Sequence, residues 1–153
     1  MSGFLLDTNV VSMLAPSKAE ASADFLTWLD RMDADGQLFL SVVSIHEIEK
    51  GIALLDHKGT TAKAASMKAW LSGLVSTYDD KIIGVDAQAA AIGGRLEAKA
   101  LAAGHDPGMA DAVIAGIAAA HELVIVTRNT KHFLPFGVAV LSPDEAATEG
   151  DQA

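Results

Sequence analysis

Three acidic residues stand at positions from which they could hold a metal ion together. Asp7 directly follows the first predicted strand, Glu47 lies in the first turn after the second, and Asp111 lies early in the helix that leads to the fourth. Because parallel strands end and returning helices begin at the same edge of an α/β sheet, we expect the three carboxylates to meet at the carboxyl edge, where ligands usually bind. Two carboxylates about 4 Å apart repel by about 4 kcal/mol at an effective dielectric of about 20, so this cluster would raise a pKa or recruit a cation.

The composition narrows the choice of metal. The chain contains no cysteine, which excludes disulfides, thiolate zinc sites, iron–sulfur clusters and cysteine nucleophiles, and leaves oxygen and imidazole as metal ligands. Oxygen ligation by two or three carboxylates with several retained waters suits Mg²⁺ or Mn²⁺, ions that grip phosphate oxygens and activate water. Phosphodiester or phosphoryl chemistry is therefore the leading reaction class.

Each acid also has a structural interpretation, which the residues alone leave open. Asp7 suits an N-cap or a turn, and Glu47 fits a capping box, Ser44-x-x-Glu47, at the start of a helix. Asp111 gains from the helix macrodipole. Its helix, residues 109–120, is apolar on nearly every face, so we expect this carboxylate to be partly buried and to need a partner.

A second polar group follows the fourth predicted strand and comprises Thr127, Arg128, Asn129, Lys131 and His132. These residues bring hydroxyl, amide and cationic groups to the same edge of the sheet, where they could hold a substrate phosphate. A solvated turn is the alternative for all of them and is favoured for Lys131 and His132.

The elements that must position these residues alternate between strand and helix, which favours the α/β class with a mainly parallel, five-stranded sheet flanked by helices. Short apolar strands are predicted at residues 4–6, 38–43, 81–85, 123–127 and 138–141. Helices are predicted at residues 10–14, 18–34, from 44 to about 55, 61–76, 87–104 and 107–121, with Asp86 as one N-cap and Asp106 with Pro107 opening the last helix. The helices that begin at Ser44 and Thr61 are expected to form an antiparallel arm.

The 153 residues, half of them apolar, fit a single domain, which we place at residues 1–142. Residues 143–153 carry four acids and no base, which predicts a flexible acidic tail. Neither a membrane span nor a secretion signal is visible, so we expect a cytoplasmic protein. The net charge of −9 favours a basic protein segment as a partner over a polyanion, unless a cation neutralises some of the carboxylates.

Four short motifs, taken in order, resemble those of PIN-domain ribonucleases, and more narrowly those of VapC and FitB toxins from bacterial type II toxin–antitoxin modules. The motifs are Leu5-Leu6-Asp7-Thr8-Asn9-Val10, Ser41-Val42-Val43-Ser44-Ile45-His46-Glu47-Ile48, Ala110-Asp111-Ala112-Val113-Ile114-Ala115 and Val126-Thr127-Arg128-Asn129. The resemblance covers residues 3–142. Each motif is weak alone, but the four together, in this order and spacing, are specific.

The resemblance implies a three-layer PIN-like fold and a Mg²⁺- or Mn²⁺-dependent endoribonuclease in which Asp7, Glu47 and Asp111 hold the metal. Asn129 stands where many PIN domains have a fourth acid, so it would coordinate through its carbonyl or orient a water, with Asp106 as a nearby substitute. This departure argues against a second tightly held metal.

The resemblance also has implications for substrate and partners. Thr8 and Asn9 would support the site and, with Thr127 and Arg128, contact an RNA substrate. Such toxins are usually homodimers that are silenced by a small antitoxin whose tail enters the active-site groove, and the acidic balance of this chain agrees with a basic tail.

Three other interpretations remain to be tested. A Mg²⁺-dependent phosphatase of the haloacid dehalogenase type needs an aspartate at position 9, which is Asn9. A phospho-receiver domain needs paired acids at the first strand and a lysine after the fifth, where this chain has Ser142 and Pro143. A catalytically silent interaction domain would keep the acidic pocket for stability alone.

Overall fold

A parallel five-stranded sheet forms the centre of the computed structural model, which describes residues 3–16 and 21–151. The described strands are β1 (Phe4–Leu6), β2 (Leu38–Ser41), β3 (Ile82–Ile83), β4 (Val124–Val126) and β5 (Val140–Leu141), in the order β3-β2-β1-β4-β5. Every pair of neighbouring strands is parallel. This confirms the α/β prediction, and the order differs from the 2-1-3-4-5 order of flavodoxin-like receiver domains.

Eight α-helices connect and cover the described strands. They are α1 (Thr8–Met13), α2 (Ala23–Ala34), α3 (Val42–His57), α4 (Thr61–Tyr78), α5 (Ala87–Ala102), α6 (Met109–His121), α7 (Thr130–Phe133) and α8 (Pro143–Asp151). The 3₁₀ turns Asp79–Lys81 and Leu134–Phe136 precede β3 and β5. In the described part of the chain, no helix combines the length and the apolar character needed to cross a membrane.

The strands carry apolar side chains on both faces, which produces three layers. Leu6 and Val126 belong to a core on the side of α2, α3, α4 and α8, whereas Leu5 and Ile125 belong to a second core on the side of α5 and α6. All four side chains are essentially inaccessible to solvent. Because successive strand residues point to opposite faces, the runs of consecutive apolar residues in β1 and β4 are what a sheet covered on both sides requires.

The helices pack on the sheet through regularly spaced apolar side chains. Phe25, Trp28 and Leu29 of α2 are buried, and Leu71 of α4 packs in the same core. Asp86 caps α5 by accepting from the Ala89 N–H at 2.8 Å.

Several predicted boundaries are wrong, among them the following three. Strand β2 ends at Ser41, which caps α3 by accepting from the Ser44 N–H at 3.2 Å, so the β-branched Val42 and Val43 begin a helix instead of extending a strand. The N-cap of α6 is Gly108, not Asp106. Helix α2 begins at Ala23, not at residue 18 as predicted. Of the additional residues predicted to be helical, 18–20 lie outside the described residues.

The acidic C-terminal segment, predicted to be a flexible tail, is instead the helix α8. The Ser142 hydroxyl accepts from the Glu145 N–H at 3.1 Å and the Glu145 carboxylate accepts from the Ser142 N–H at 3.0 Å, a reciprocal capping box. Ala146 is fully buried in the core that contains Phe25 and Trp28. Asp144, Glu145 and Glu149 are exposed, so these charges remain in solvent while Ala146 is buried.

Candidate metal and catalytic site

The buried carboxylate of Asp7 is held by groups from three directions at the carboxyl edge of the sheet. It follows β1, caps α1, and is only 6% exposed. Its Oδ1 accepts from the Thr8 N–H at 2.8 Å, and its Oδ2 accepts from the Thr127 hydroxyl at 2.8 Å and the Asn9 amide at 3.2 Å. Burial raises the pKa of the Asp7 carboxyl, the Thr127 and Thr8 hydrogen bonds lower it, and the negative charge of Glu47 raises it further. Asp7 is therefore the N-cap of α1, as one interpretation of the sequence predicted. Capping, however, accounts for the contact of only one of its two carboxylate oxygens.

Glu47 contacts the first strand region through Thr8. The Thr8 hydroxyl donates to Glu47 Oε1 at 2.5 Å and lies 2.9 Å from the hydroxyl of Ser44. The capping-box interpretation of Glu47 is wrong, because Ser41 is the N-cap of α3 and Glu47 lies in the second turn. The consequence is that α3 presents Glu47 to the residue directly after Asp7.

Asp111 lies in the first turn of α6 with its side chain 28% exposed. Its Oδ2 is 3.7 Å from Nδ1 of His132, a residue for which a solvated turn was the favoured interpretation. Burial raises the pKa of the Asp111 carboxyl, the charge of Asp7 raises it further, His132 lowers it, and Glu47 adds a smaller increase.

The structure thus brings the three acids predicted from sequence into one electrostatic neighbourhood. Asp7 interacts with Glu47, and Asp111 interacts with both. Within residues 3–16 and 21–151, no group of three or more acidic or histidine side chains is arranged to enclose a metal ion as it stands. The donor chemistry still fits Mg²⁺ or Mn²⁺, since these ions are commonly bound by one or two carboxylates and retain several waters. Added positive charge would stabilise the ionised carboxylates of Asp7 and Asp111, whose pKa values burial raises most and the neighbouring acids raise further.

The residues that follow β4 form a hydrogen-bond network around the carboxylate of Asp7. Thr127 is fully buried, and its oxygen accepts from the Asn129 N–H at 3.0 Å and from the Asn9 amide at 3.3 Å while its hydrogen goes to Asp7. Asn9 Oδ1 accepts from the Arg128 N–H at 3.0 Å. The polar groups of Asn9 and Thr127 are therefore engaged within the protein, whereas the side chains of Arg128 and Asn129 are exposed.

An open groove of about 290 Å³ runs beside Asp111. It is lined by His105, Asp106, Pro107, Gly108, Asp111, Lys131, His132 and Pro135. Sequence reasoning named Lys131 and His132 but missed His105, which lies in the irregular segment before α6. The sequence signal that could have pointed to His105 was its position near Pro107 and near the apolar helix that carries Asp111.

Comparison with known proteins identifies the family. The PIN domain family model matches residues 4–134. The plasmid stability protein StbB of Pseudomonas syringae pv. tomato is 34% identical over 143 residues, covering 93% of this chain and 99% of the relative. Toxin FitB of Neisseria gonorrhoeae is 30% identical, covering 91% and 96%, and VapC ribonuclease Y4jK of Sinorhizobium fredii is 30% identical, covering 94% and 99%.

A solved structure extends the likeness to three dimensions. The FitAcB structure from Neisseria gonorrhoeae matches with a TM-score of 0.78 and 30% sequence identity, and covers 92% of this chain and 97% of that chain. The strand order displaces the receiver interpretation, and the family and structure matches displace the phosphatase interpretation. With a family model that spans most of its length and relatives that align almost end to end, this chain belongs to the PIN-domain family.

Proposed function

We propose that this protein is a Mg²⁺- or Mn²⁺-dependent endoribonuclease and the toxin of a type II toxin–antitoxin module. The observation that carries the proposal is the meeting of Asp7, Glu47 and Asp111, from three separate elements, at one edge of the sheet: Thr8 hydrogen-bonds to both Asp7 and Glu47, and the charges of these two acids act on the partly buried Asp111. A protein has little structural reason to gather three carboxylates at one edge of a sheet, because their repulsion destabilises the fold. The ribonuclease name of the Sinorhizobium relative and the toxin name of the Neisseria relative point to the same activity.

The proposal gives each polar residue of the site a role. Asp7, Glu47 and Asp111 would hold the ion, which when bound supplies a Lewis acid for phosphate oxygens and lowers the pKa of water. Asn129 would orient a water or the substrate from the end of β4. Arg128, exposed beside it, would contact the RNA backbone.

Thr8, Asn9 and Thr127 serve the acids more directly than the substrate. The Thr8 and Thr127 hydroxyls donate to Glu47 and Asp7, and the Asn9 amide donates to Asp7. We propose that these three residues fix the carboxylates in place, and that any contact they make with RNA is secondary.

The proposed partners follow from charge and from the relatives. The net charge of −9 favours a small antitoxin with a basic C-terminal tail that enters the groove beside Asp111. The Neisseria neighbour was solved as FitAcB, and a related complex as FitAB bound to a DNA fragment. We propose that this chain forms a homodimer, acts in the cytoplasm and assembles with its antitoxin in the same general way.

The direct test is cleavage of RNA by the purified protein. Wild type is incubated with total tRNA in Mg²⁺, Mn²⁺ or EDTA, alongside Asp7→Asn, Glu47→Gln and Asp111→Asn. We expect metal-dependent fragments from wild type and a loss of at least about 100-fold in each variant, because even the partners that orient metal ligands typically contribute about 10–100-fold. Glu49→Gln, an exposed acid on the same helix as Glu47, is the matched control and should cleave like wild type.

Equal fragments in all lanes would reveal a contaminating nuclease and defeat the assignment. A wild-type protein that binds a basic antitoxin but cleaves no RNA in either metal would identify a catalytically silent domain. If wild type cleaves RNA, sequencing the 5′ ends of its fragments would identify the RNA and the nucleotide that are recognised.

A further inference from the structure

We infer that Ser44, a residue with no role in the site as argued from sequence, is a positioning residue that orients Glu47 through the hydroxyl of Thr8. The inference rests on the proposed function, because it concerns the readiness of Glu47 to bind a metal ion. It is carried by a chain of two hydrogen bonds that links a fully buried hydroxyl to the carboxylate.

The direction of the hydrogen bonds follows from a count of hydrogens. A threonine hydroxyl has one hydrogen and two acceptor lone pairs. The Thr8 hydrogen is donated to Glu47 Oε1 at 2.5 Å, so Thr8 can only accept from Ser44, whose oxygen lies 2.9 Å away. Ser44 therefore donates to Thr8, and Thr8 donates to Glu47.

Burial makes this order hard to replace. Ser44 has no solvent exposure, so its own hydroxyl cannot exchange Thr8 for water. A buried hydroxyl without its donor or acceptor costs free energy, which holds the Ser44 and Thr8 side chains in the paired arrangement. The Ser41 hydroxyl, by contrast, accepts from the Ser44 backbone N–H at 3.2 Å and makes no hydrogen bond to the Ser44 hydroxyl.

The arrangement leaves one oxygen of Glu47 for a ligand. Thr8 occupies Oε1, and no hydrogen bond to Oε2 is found among the described residues. The backbone N–H of the same Thr8 donates to Asp7 at 2.8 Å, so one residue fixes two of the three acids relative to each other. Disturbing Thr8 through Ser44 should therefore change the geometry of the acid pair without removing any charge.

The test measures Mn²⁺ binding by calorimetry and by electron paramagnetic resonance, with no RNA present. Ser44→Ala should weaken Mn²⁺ binding by about tenfold, and Thr8→Val by at least as much, because partners that orient metal ligands commonly contribute about 10–100-fold to affinity. The double variant should bind no more weakly than Thr8→Val alone, since Ser44 acts through Thr8. If the two effects instead multiply, Ser44 acts by another route and the inference is overturned.

Ser41→Ala is the matched control for general damage to α3. It removes a buried serine hydroxyl from the same turn and should lower the melting temperature, because the N-cap is lost, while Mn²⁺ affinity stays within twofold of wild type. If Ser44→Ala fails to fold, Ser44→Cys replaces it, as a thiol of similar shape is a weak donor and should weaken binding in the same direction. Wild-type Mn²⁺ affinity in Ser44→Ala or Ser44→Cys would overturn the inference.

Failure of the proposed function gives a different pattern. If wild type binds no Mn²⁺, or if Asp7→Asn binds it as tightly as wild type, both the metal site and the role of Ser44 fall together. If Asp7→Asn abolishes binding but the Ser44 variants change nothing, only the role of Ser44 falls.

Discussion

The buried hydroxyl of Thr127 donates to Oδ2 of Asp7 at 2.8 Å and joins the ends of β4 and β1 across 120 positions of sequence. The same Thr127 oxygen accepts from the Asn129 N–H, so the loop after β4 is fixed to the first acid. Strands β1 and β4 are parallel neighbours in which Leu6 is paired with Val126, and this register places Thr127 beside Asp7. The central pair of the sheet therefore determines the position of the first carboxylate.

Thr127→Val should destabilise the fold and weaken the site. Valine keeps the shape of the side chain but leaves Asp7 Oδ2 without its shortest hydrogen bond, which should cost about 1–3 kcal/mol of unfolding free energy. Because this hydrogen bond lowers the pKa of Asp7, its loss raises that pKa further and weakens metal binding at neutral pH. Urea unfolding and Mn²⁺ calorimetry measure the two effects.

Thr27→Val is the control for this substitution, since the exposed Thr27 hydroxyl donates only to a backbone carbonyl within α2, that of Ala23, at 3.0 Å. Its stability should stay within about 0.5 kcal/mol of wild type. Equal destabilisation by the two substitutions would show that the Thr127–Asp7 hydrogen bond contributes no more to stability than the exposed hydrogen bond of Thr27.

Asp111→Asn should stabilise the metal-free protein at neutral pH. Burial and the charge of Asp7 raise the folded-state pKa of Asp111, so the ionised form is less favourable in the folded than in the unfolded protein. The stability associated with this group is fully present below the unfolded pKa, about 4, and is lost as the pH rises through the higher folded pKa. Asparagine avoids the loss, so the variant should gain on wild type between about pH 4 and pH 7.

A divalent ion should reverse this order. Mg²⁺ bound to the folded state stabilises wild type by mass action but should bind Asp111→Asn weakly. Thermal unfolding at several pH values, with EDTA or with Mg²⁺, measures both effects, and Glu49→Gln on α3 serves as a surface control. An Asp111→Asn protein that is less stable than wild type in EDTA at pH 7 would contradict a repulsive acid cluster.

The sequence predicts the five strands, the helices α1 to α6 and the closeness of the three acids, because those signals are local. Strands of consecutive apolar residues, and acids that follow them, need only the geometry of a parallel sheet to be placed at one edge. The coupling of Asp7, Glu47 and Asp111 was predicted on that ground alone.

The start of α3 was missed because local propensity and tertiary context conflict there. Val42 and Val43 are β-branched and extend the pattern of β2, but the Ser41 hydroxyl caps the chain one residue earlier and begins the helix. The capping box predicted for Ser44 and Glu47 therefore does not form, and both side chains contact Thr8 instead. No sequence pattern indicates that partner, because Thr8 and Glu47 are 39 positions apart.

The helix α8 was missed although its signal was present. Ser142, Pro143 and Glu145 stand at the N-cap, first and third helical positions of a capping box, but a segment with four acids and no base is also typical of disorder. What decides the matter is burial of Ala146 against α2, which composition does not reveal.

Ala146→Asp should destabilise the protein by more than about 3 kcal/mol, because it places an unpaired charge in a fully buried position. Thr148→Asp, on an exposed position of the same helix, adds the same charge and should change the stability by less than about 0.5 kcal/mol. Guanidinium unfolding of both variants measures the difference. Two variants of wild-type stability would mean that residues 143–151 are not packed in solution.

Gly116→Ala should destabilise the fold and reduce activity through the position of Asp111. A Cβ on Gly116 would overlap the carbonyl oxygen of Ala89 and lie 2.7 Å from the Gly93 nitrogen, so α5 and α6 would have to separate. Overpacking of this kind typically costs about 1–3 kcal/mol, and about 2–4 °C in melting temperature per kcal/mol for a chain of this size. Since α6 carries Asp111 in its first turn, the shift should also weaken Mn²⁺ binding.

Gly94→Ala is the matched control, because nothing lies within 4 Å of its Cβ position and the same change in a helix interior should stabilise by about 0.5–1 kcal/mol. If Gly116→Ala is as stable as Gly94→Ala, the close approach of α5 and α6 does not exist in solution, and the position of Asp111 must be set by other contacts.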